Sequence, residues 1–176
     1  MPGTASLDGA TLVAALRDVI KEFARHGARQ ICLVNGHFEN SWFIIEAIDL
    51  ALRELRWDRI EDVKIVVLSY WDFVDQGTID RLYPSGFPGW NKEHGAVLET
   101  SLMLSLFPDL VSMDCAVHHA PAVFPPYDVY PVKPEWTPAS GTLSSPKEAS
   151  AEKGEILLEV CSAGIKEALL REFKGA

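Results

Sequence analysis

Basic residues are scarce in this sequence. Its 176 residues include 16 Lys and Arg against 25 Asp and Glu, which gives a net charge of −9. Proteins that bind nucleic acid neutralise phosphates with clustered Lys and Arg, so the charge argues against nucleic acid as a partner. Long apolar runs are also missing: none approaches the roughly 20 residues of a membrane span, and the N-terminus lacks the layout of a signal peptide. We therefore predict a cytoplasmic protein that binds no membrane.

Cysteine is equally sparse. Cys32, Cys115 and Cys161 are an odd number, lie far apart and form no CxxC pair. Neither a disulfide framework nor a zinc ribbon is therefore expected. A phosphate loop is absent too, because the NGH at residues 35–37 matches neither GxGxxG nor GKS/T. We expect buried, reduced thiols, as in a cytosolic protein.

The residues that are present predict a single α/β domain. Apolar residues make up 48% of the chain and charged residues 23%, a composition typical of globular proteins. An apolar stripe predicts a helix over residues 8–26, and the run RQICLVN predicts a strand that is covered on both faces. A second helix from Asn40 to about Arg56 and a second strand over 63–70 complete a right-handed βαβ unit.

The second half of the chain has fewer periodic segments. Residues 71–93 are predicted to form a loop, and a third helix is expected over roughly 93–106. Residues 116–144 hold more than half of the prolines, interleaved with aromatic residues, and predict an extended, ordered segment. A capping box starting at Ser145 predicts a last helix that runs to about Phe173.

Two metal-binding side chain types follow the first predicted strand. Imidazole and carboxylate, here His37 and Glu39, suit Zn²⁺ or Mn²⁺. Sites in open α/β sheets lie beyond the carboxyl ends of the strands, and Gly36 allows a turn there. If the backbone stays extended, the two side chains point to one face. The alternative is a surface loop with an incidental histidine and glutamate.

The second candidate group lies near the third predicted helix. His94 would sit at the positive end of that helix, which favours the neutral imidazole that a general base needs. Glu99 lies in an apolar helical stretch. It would orient His94 or be one of the residues that hold the site in place without contacting the ligand. The alternatives are a solvated histidine and an exposed glutamate. In the neighbouring loops, Trp71 and Trp90 could clamp a flat ligand, although tryptophans more often belong to a core.

Taken together, these stretches resemble the creatininase (creatinine amidohydrolase) family over essentially the whole chain. The resemblance implies an α/β fold around a parallel-rich sheet and a two-metal site that takes Zn²⁺ or Mn²⁺. It also implies that the cyclic amide of creatinine is opened to give creatine. The stretches that carry the resemblance are PGTASLDGATL, NGHFEN, SYWDF, GFPGWNKEHGAVLETSLMLSLFPDLV, FPPYDVYPV and GTLSSPKEASAEKGEILLEV.

The resemblance also implies roles for single residues. His37 and Glu39 correspond to metal ligands, one for each ion, and His94 corresponds to the catalytic histidine. We place Glu39 with His94 among the catalytic residues. Glu99 is expected to contact such residues without contacting the substrate itself.

The substrate-binding residues follow from the same motifs. Trp71 and Trp90 correspond to the tryptophans that enclose the substrate, and His94 also faces it. Asn91 takes a substrate-contact position where creatininases usually have Asp. Phe38 takes a position beside the metal-binding histidine where Tyr is usual. Both differences leave a hydrolase of another small amide as an alternative.

The chain is expected to be the C-terminal two-thirds of a creatininase-like domain, residues 1–176, without its N-terminal strands. In the family, three further metal ligands precede the PGT segment, so we expect impaired activity. The alternative is a noncatalytic member that acts as a folded fragment or an oligomer subunit. The resemblance implies a homo-oligomer, a hexamer in the parent fold. The segment HHAPAVFPPYDVYPV could form part of its interface or of the surroundings of the active site.

Overall fold

The structure, a computed structural model, describes residues 5–173. The chain forms two compact units. Among the described residues, the first unit comprises 5–73 and 163–173, and the second comprises Val74–Ser162. No helix within residues 5–173 is both long enough and apolar enough to cross a membrane.

The first unit contains the predicted βαβ arrangement. Its two strands are parallel, and their register runs from the pair Gln30 and Lys64 to the pair Asn35 and Ser69. The prediction of a parallel sheet with helices is confirmed, with boundaries within one or two residues of those expected. The elements are α1 (Gly9–Arg25), β1 (Gln30–Asn35), α2 (Asn40–Trp57) and β2 (Lys64–Ser69).

Apolar side chains from both helices and both strands form the core of the first unit. Ile20 of α1, Ile31 of β1 and Ala51 of α2 are buried together. The two helices are also joined by ion pairs, among them Lys21 with Glu54. Burial of this stripe is what makes the amphipathic helices stable, because isolated helices of this length are marginal in water.

One prediction for the strands is wrong. Val34 is 59% exposed and Val67 is 43% exposed, so the strands are not covered on both faces. Within residues 5–173 each strand has one partner strand, and a two-stranded sheet leaves apolar side chains uncovered that a larger sheet would bury.

The second unit is mainly helical. Its buried core consists of Ile79, Leu82, Tyr83, Val97, Leu98 and Leu157. Its helices are α3 (Gln76–Leu82) and α4 (Val97–Leu106), followed by α5 (Ala151–Glu172), which continues into the first unit. Short 3₁₀ helices occur at Tyr70–Phe73, Trp90–Lys92, Pro108–Leu110, Met113–Cys115 and Pro134–Trp136.

Three predictions for helices in this half need correction. The helix α3 lies inside the stretch 71–93 that was predicted to be a loop, and Asp75 caps it by accepting a hydrogen bond from the Thr78 N–H. The helix α4 begins at Val97, not near 93. Each start depends on a polar partner for the first backbone N–H groups, which periodicity does not reveal.

The start of α5 differs for the same reason. The Ser145 hydroxyl accepts a 3.4 Å hydrogen bond from the Lys147 N–H and donates one to the Val117 carbonyl. These bonds close a turn instead of starting a helix. The helix begins at Ala151, after Ser150, whose hydroxyl accepts the Lys153 N–H. Ser150 is therefore the cap that had been assigned to Ser145.

Candidate active site

The buried side chain of Asn35 organises the carboxyl edge of the sheet. Its amide nitrogen donates to the hydroxyl of Ser41 at 3.3 Å and to that of Ser69 at 3.4 Å. Its carbonyl oxygen accepts the His37 N–H at 3.1 Å. One residue thus joins the end of β1, the end of β2 and the first turn of α2. Sequence analysis missed this role, although a polar residue at the end of an apolar strand was the available signal.

The structure brings His37 and Glu39 together. The Nε2 atom of His37 lies 2.8 Å from a carboxylate oxygen of Glu39, and both side chains are exposed. The backbone is not extended here, because Glu39 has helical dihedral angles, φ −67° and ψ −15°. The side chains therefore meet because the backbone turns between them. The prediction that an extended backbone directs both side chains to one face does not apply here.

The donor atoms of this pair are of the type that Zn²⁺ and Mn²⁺ prefer: an imidazole nitrogen and a carboxylate oxygen. Their separation and exposure fit two ligands that share one site. Within residues 5–173, no group of three or more His, Cys, Asp or Glu side chains is arranged to hold a metal ion. His37 and Glu39 are thus a candidate pair of ligands.

Trp71 lies at the same carboxyl edge of the sheet. It follows Ser69 by two residues, just as His37 follows Asn35, the register partner of Ser69. Its ring is partly buried and contacts the ring of Tyr70 edge-on, with centroids 4.9 Å apart. The side chain of Asp72 accepts the Ser69 N–H at 2.8 Å, so this carboxylate closes the turn that holds Trp71.

Phe38 lies between the two candidate ligands, His37 and Glu39, in the sequence. Its ring is 62% exposed and meets the ring of Trp42 edge-on at 5.7 Å. A phenyl ring at this position has no hydroxyl to donate, so it can shape a pocket but cannot hydrogen-bond a substrate.

The loop with Trp90 and Asn91 belongs to the second unit. Both residues lie in the 3₁₀ helix Trp90–Lys92 and are exposed. The Trp90 ring packs edge-on against Phe87 at 5.2 Å, and Phe87 packs against Tyr83 at 4.9 Å. A row of three aromatic rings thus connects the exposed tryptophan to the core.

His94 is partly buried and lies three residues before α4 begins. Contrary to the prediction, it is therefore not part of the helix. Its backbone carbonyl accepts the Leu143 N–H at 3.0 Å. Next to it, Gly95 has a positive φ of 59°, which favours glycine. The carboxylate of Glu99 accepts the Gly95 N–H, so Glu99 holds the backbone beside His94.

Sequence analysis missed Glu93. One of its carboxylate oxygens accepts the Tyr83 hydroxyl at 2.5 Å, and the other accepts the Leu98 N–H at 2.5 Å. Burial raises the pKa of Glu93 to about 7. The available signal was an acidic residue shortly before an apolar helix, the usual place for a side chain that caps free N–H groups.

The predicted site residues therefore form two groups, each described within its own unit. The first unit holds His37, Phe38, Glu39 and Trp71, and the second unit holds Trp90, Asn91, His94 and Glu99.

The sequence profile described as creatininase, creatinine amidohydrolase, matches residues 1–169. A creatinine amidohydrolase of Pseudomonas putida is 65% identical over 173 residues, which are 98% of this chain and 66% of that protein. The chain thus spans slightly less than two thirds of the length of this relative.

Solved structures agree with this comparison. A manganese creatininase is 64% identical with a TM-score of 0.95, and a zinc–zinc creatininase variant is 63% identical with a TM-score of 0.96. In both cases the match covers 99% of this chain and 68% of the other. A putative creatinine amidohydrolase of Bacteroides fragilis, 19% identical over 100% of this chain and 66% of its own, shares the fold with a TM-score of 0.70. This chain belongs to the creatininase family.

Proposed function

We propose that the protein hydrolyses the cyclic amide of creatinine to give creatine. The observation that carries this proposal is the pair formed by His37 and Glu39, 2.8 Å apart at the end of β1. The pair occurs in a chain that is 65% identical to a creatinine amidohydrolase. In the reaction, water adds across the ring C–N bond: oxygen bonds to the carbonyl carbon, the C–N bond breaks, and the ring nitrogen gains a proton.

His37 and Glu39 would hold two metal ions, one each, and the metals named for the solved creatininases suggest Zn²⁺ or Mn²⁺. A bound divalent ion supplies Lewis acidity and an activated water in hydrolases of this kind. Nε2 of His37 and a carboxylate oxygen of Glu39 lie 2.8 Å apart, so each would turn from the other to a metal ion. The resemblance to the family assigns Glu39 to the catalytic residues as well as to the ligands.

His94 would move the proton to the ring nitrogen. Its backbone is held by the bond to Leu143 and, through Gly95, by Glu99. A histidine serves as a general acid and base because its ordinary pKa lies near neutral pH.

Trp71 and Trp90 would enclose the planar ring and exclude water, and Asn91 would contact the substrate. An aromatic face suits a flat, delocalised ring. The exposure of Trp90 and Asn91 leaves both side chains accessible to a ligand. Creatininases usually have Tyr and Asp at the positions of Phe38 and Asn91, and these two differences keep a hydrolase of another small amide as the alternative.

The test measures zinc and manganese content together with the conversion of creatinine to creatine. The chain is assayed alone and mixed with the segment of the P. putida relative that it does not match. Because the described residues provide a pair of ligands, we expect the chain alone to bind metal weakly and turn over creatinine poorly. In the mixture, His94→Ala should abolish hydrolysis but keep the metal. Retained hydrolysis in that variant would contradict the role of His94.

A noncatalytic role is the second candidate. The absence of a group of three metal ligands within residues 5–173 favours it. In this case the chain would act as a folded subunit of an oligomer. Metal content and hydrolysis that stay at background in the mixture as well would support this candidate over the enzyme.

We further propose that the protein is a cytoplasmic homo-oligomer, a hexamer by resemblance. Tyr127 and Tyr130 are 68% and 82% exposed in the proline-rich segment, as expected of a partner surface. Cys161 is buried as predicted, but Cys115 is exposed, so the prediction of buried thiols is wrong for Cys115. A free, exposed thiol is still consistent with a reducing compartment. Light scattering that shows a stable monomer at micromolar concentration would contradict the oligomer.

A further inference from the structure

We propose that Glu93 is a positioning residue that holds the loop carrying Trp90, Asn91 and His94, acting through Tyr83 and the first turn of α4. This inference rests on the proposed function in one respect, namely that His94 and its neighbours act on a substrate. The hydrogen bonds that support it lie entirely within the second unit.

Glu93 differs from its neighbours in the direction of its side chain. Trp90 and Asn91 are exposed, whereas the carboxylate of Glu93 bonds to groups of the core. Tyr83 directly follows α3, and Leu98 lies in the first turn of α4. The two oxygens of one carboxylate thus connect the end of one helix to the start of the next, across the loop that bears the site residues.

The rest of the loop is held by local contacts. The Glu93 N–H donates to the Trp90 carbonyl at 3.2 Å, and the Lys92 N–H donates to the Gly89 carbonyl at 3.0 Å. These bonds curl the loop but do not attach it to the core. After His94, the backbone is held by the bonds to Leu143 and Glu99. Glu93 is the corresponding attachment on the preceding side.

Stability alone does not account for a carboxylate in this place. Burying an ionised carboxylate is costly unless hydrogen bonds compensate. Burial here raises the pKa of Glu93 to about 7, and the charge of Glu99 also raises it. The other charged groups near the pair are Glu148 and Lys153, which lie close to Tyr83. The hydrogen bonds from the Tyr83 hydroxyl and the Leu98 N–H offset part of this cost and fix the direction of the carboxylate.

The experiment compares Glu93→Ala, Glu93→Gln and Tyr83→Phe with the control Glu155→Ala, which changes an exposed residue of α5. Gln retains an acceptor for the Leu98 N–H and a donor for the Tyr83 oxygen, so it tests geometry without charge. The first readout is hydrogen exchange at the amides of Gly95 and Leu98. The second is kcat and KM for creatinine, measured in the reconstituted mixture described above.

We expect exchange at Leu98 to accelerate about tenfold in Glu93→Ala, less in Tyr83→Phe, and not measurably in Glu155→Ala. The value of kcat/KM should fall about 100-fold in Glu93→Ala, because a small misplacement of a catalytic group has effects of this size. Glu93→Gln should stay within about threefold of the wild type on both readouts.

Two results would overturn the proposal. Unchanged exchange at Gly95 and Leu98 in Glu93→Ala would show that Glu93 does not hold the loop. Loss of activity in Glu93→Gln with normal exchange would show that the charge acts directly, not through position. If exchange responds as expected while no variant or wild type hydrolyses creatinine, the positioning role is supported and it is the proposed reaction that fails.

Discussion

Asn35 and Ser69 join the carboxyl ends of the two parallel strands, with the Asn35 amide nitrogen 3.4 Å from the Ser69 hydroxyl. The same Asn35 side chain accepts the N–H of His37. The position of the candidate ligand pair and that of the Trp71 turn therefore depend on one buried amide.

Replacing this amide should weaken both the fold and the site. Asn35→Ala removes the hydrogen bonds of the Asn35 amide to the Ser69 hydroxyl and from the His37 N–H, which costs about 1–3 kcal/mol in the free energy of unfolding. Urea denaturation measures this loss. The control Gln30→Ala, at the exposed start of β1, should stay within about 0.5 kcal/mol of the wild type. Equal stability of the two variants would contradict the role of Asn35.

The ligand pair can be tested directly by metal titration. Either His37→Ala or Glu39→Gln should lower the affinity for Zn²⁺ at least about tenfold, because each removes or weakens a donor of the pair. Calorimetric titration with zinc provides the measurement. His26→Ala removes another exposed histidine and should leave the affinity unchanged. If His26→Ala weakens binding as much as His37→Ala, the zinc binds elsewhere.

Glu93 should make stability depend on pH in an unusual direction. Its pKa rises from an ordinary 4.5 to about 7 in the folded protein, so the folded state binds more protons between these values. Its contribution to stability is present below pH 4.5 and is lost as the pH rises through about 7. The loss is about 3 kcal/mol in the free energy of unfolding.

The measurement is the difference between the wild type and Glu93→Gln, followed by denaturation from pH 4.5 to 8. The difference removes the contributions of carboxylates with lowered pKa, such as Glu54 and Asp75, which change in the opposite direction. We expect the variant to gain stability relative to the wild type as the pH rises. A difference that does not vary with pH would contradict the burial of an ionisable carboxylate.

The helices α4 and α5 approach closely at Gly154. A Cβ atom added there would lie 2.1 Å from the backbone carbonyl oxygen of Ser101, and backbone cannot move aside as a side chain can. Gly154→Ala should therefore destabilise the protein by about 3 kcal/mol or more, measured by thermal unfolding. Glu155→Ala, one residue further along and exposed, is the matched control. A melting temperature of Gly154→Ala equal to that of the control would contradict this helix contact.

Much of the first unit was predictable from the sequence. The helices and strands of the βαβ unit follow from apolar spacing that repeats within a few residues, and the structure places their boundaries near the predicted ones. The position of His37 and Glu39 after an apolar strand also pointed to the sheet edge. These inferences succeed because periodicity and strand ends are local properties of the chain.

Other features depend on partners that are distant in the sequence. Ser145 and Ser150 are both suitable caps, but the Ser145 hydroxyl bonds to Val117, 28 residues away, and the helix starts after Ser150. Apolar spacing predicted strands covered on both faces, yet Val34 is exposed because coverage depends on which elements pack there.

At the candidate site, Glu93 most clearly separates what the local sequence determines from what distant partners determine. As a residue type it is an ordinary acidic side chain in a loop, and sequence alone determined only that it stands beside His94. Its attachment to Tyr83 and Leu98, and the raised pKa that follows, were decided by the packing of α3 and α4 around it. The sequence by itself determined the βαβ unit and the chemical groups at its edge. The tertiary structure decided how those groups are held, because hydrogen-bond partners and burial are set by contacts between segments that are far apart in the chain.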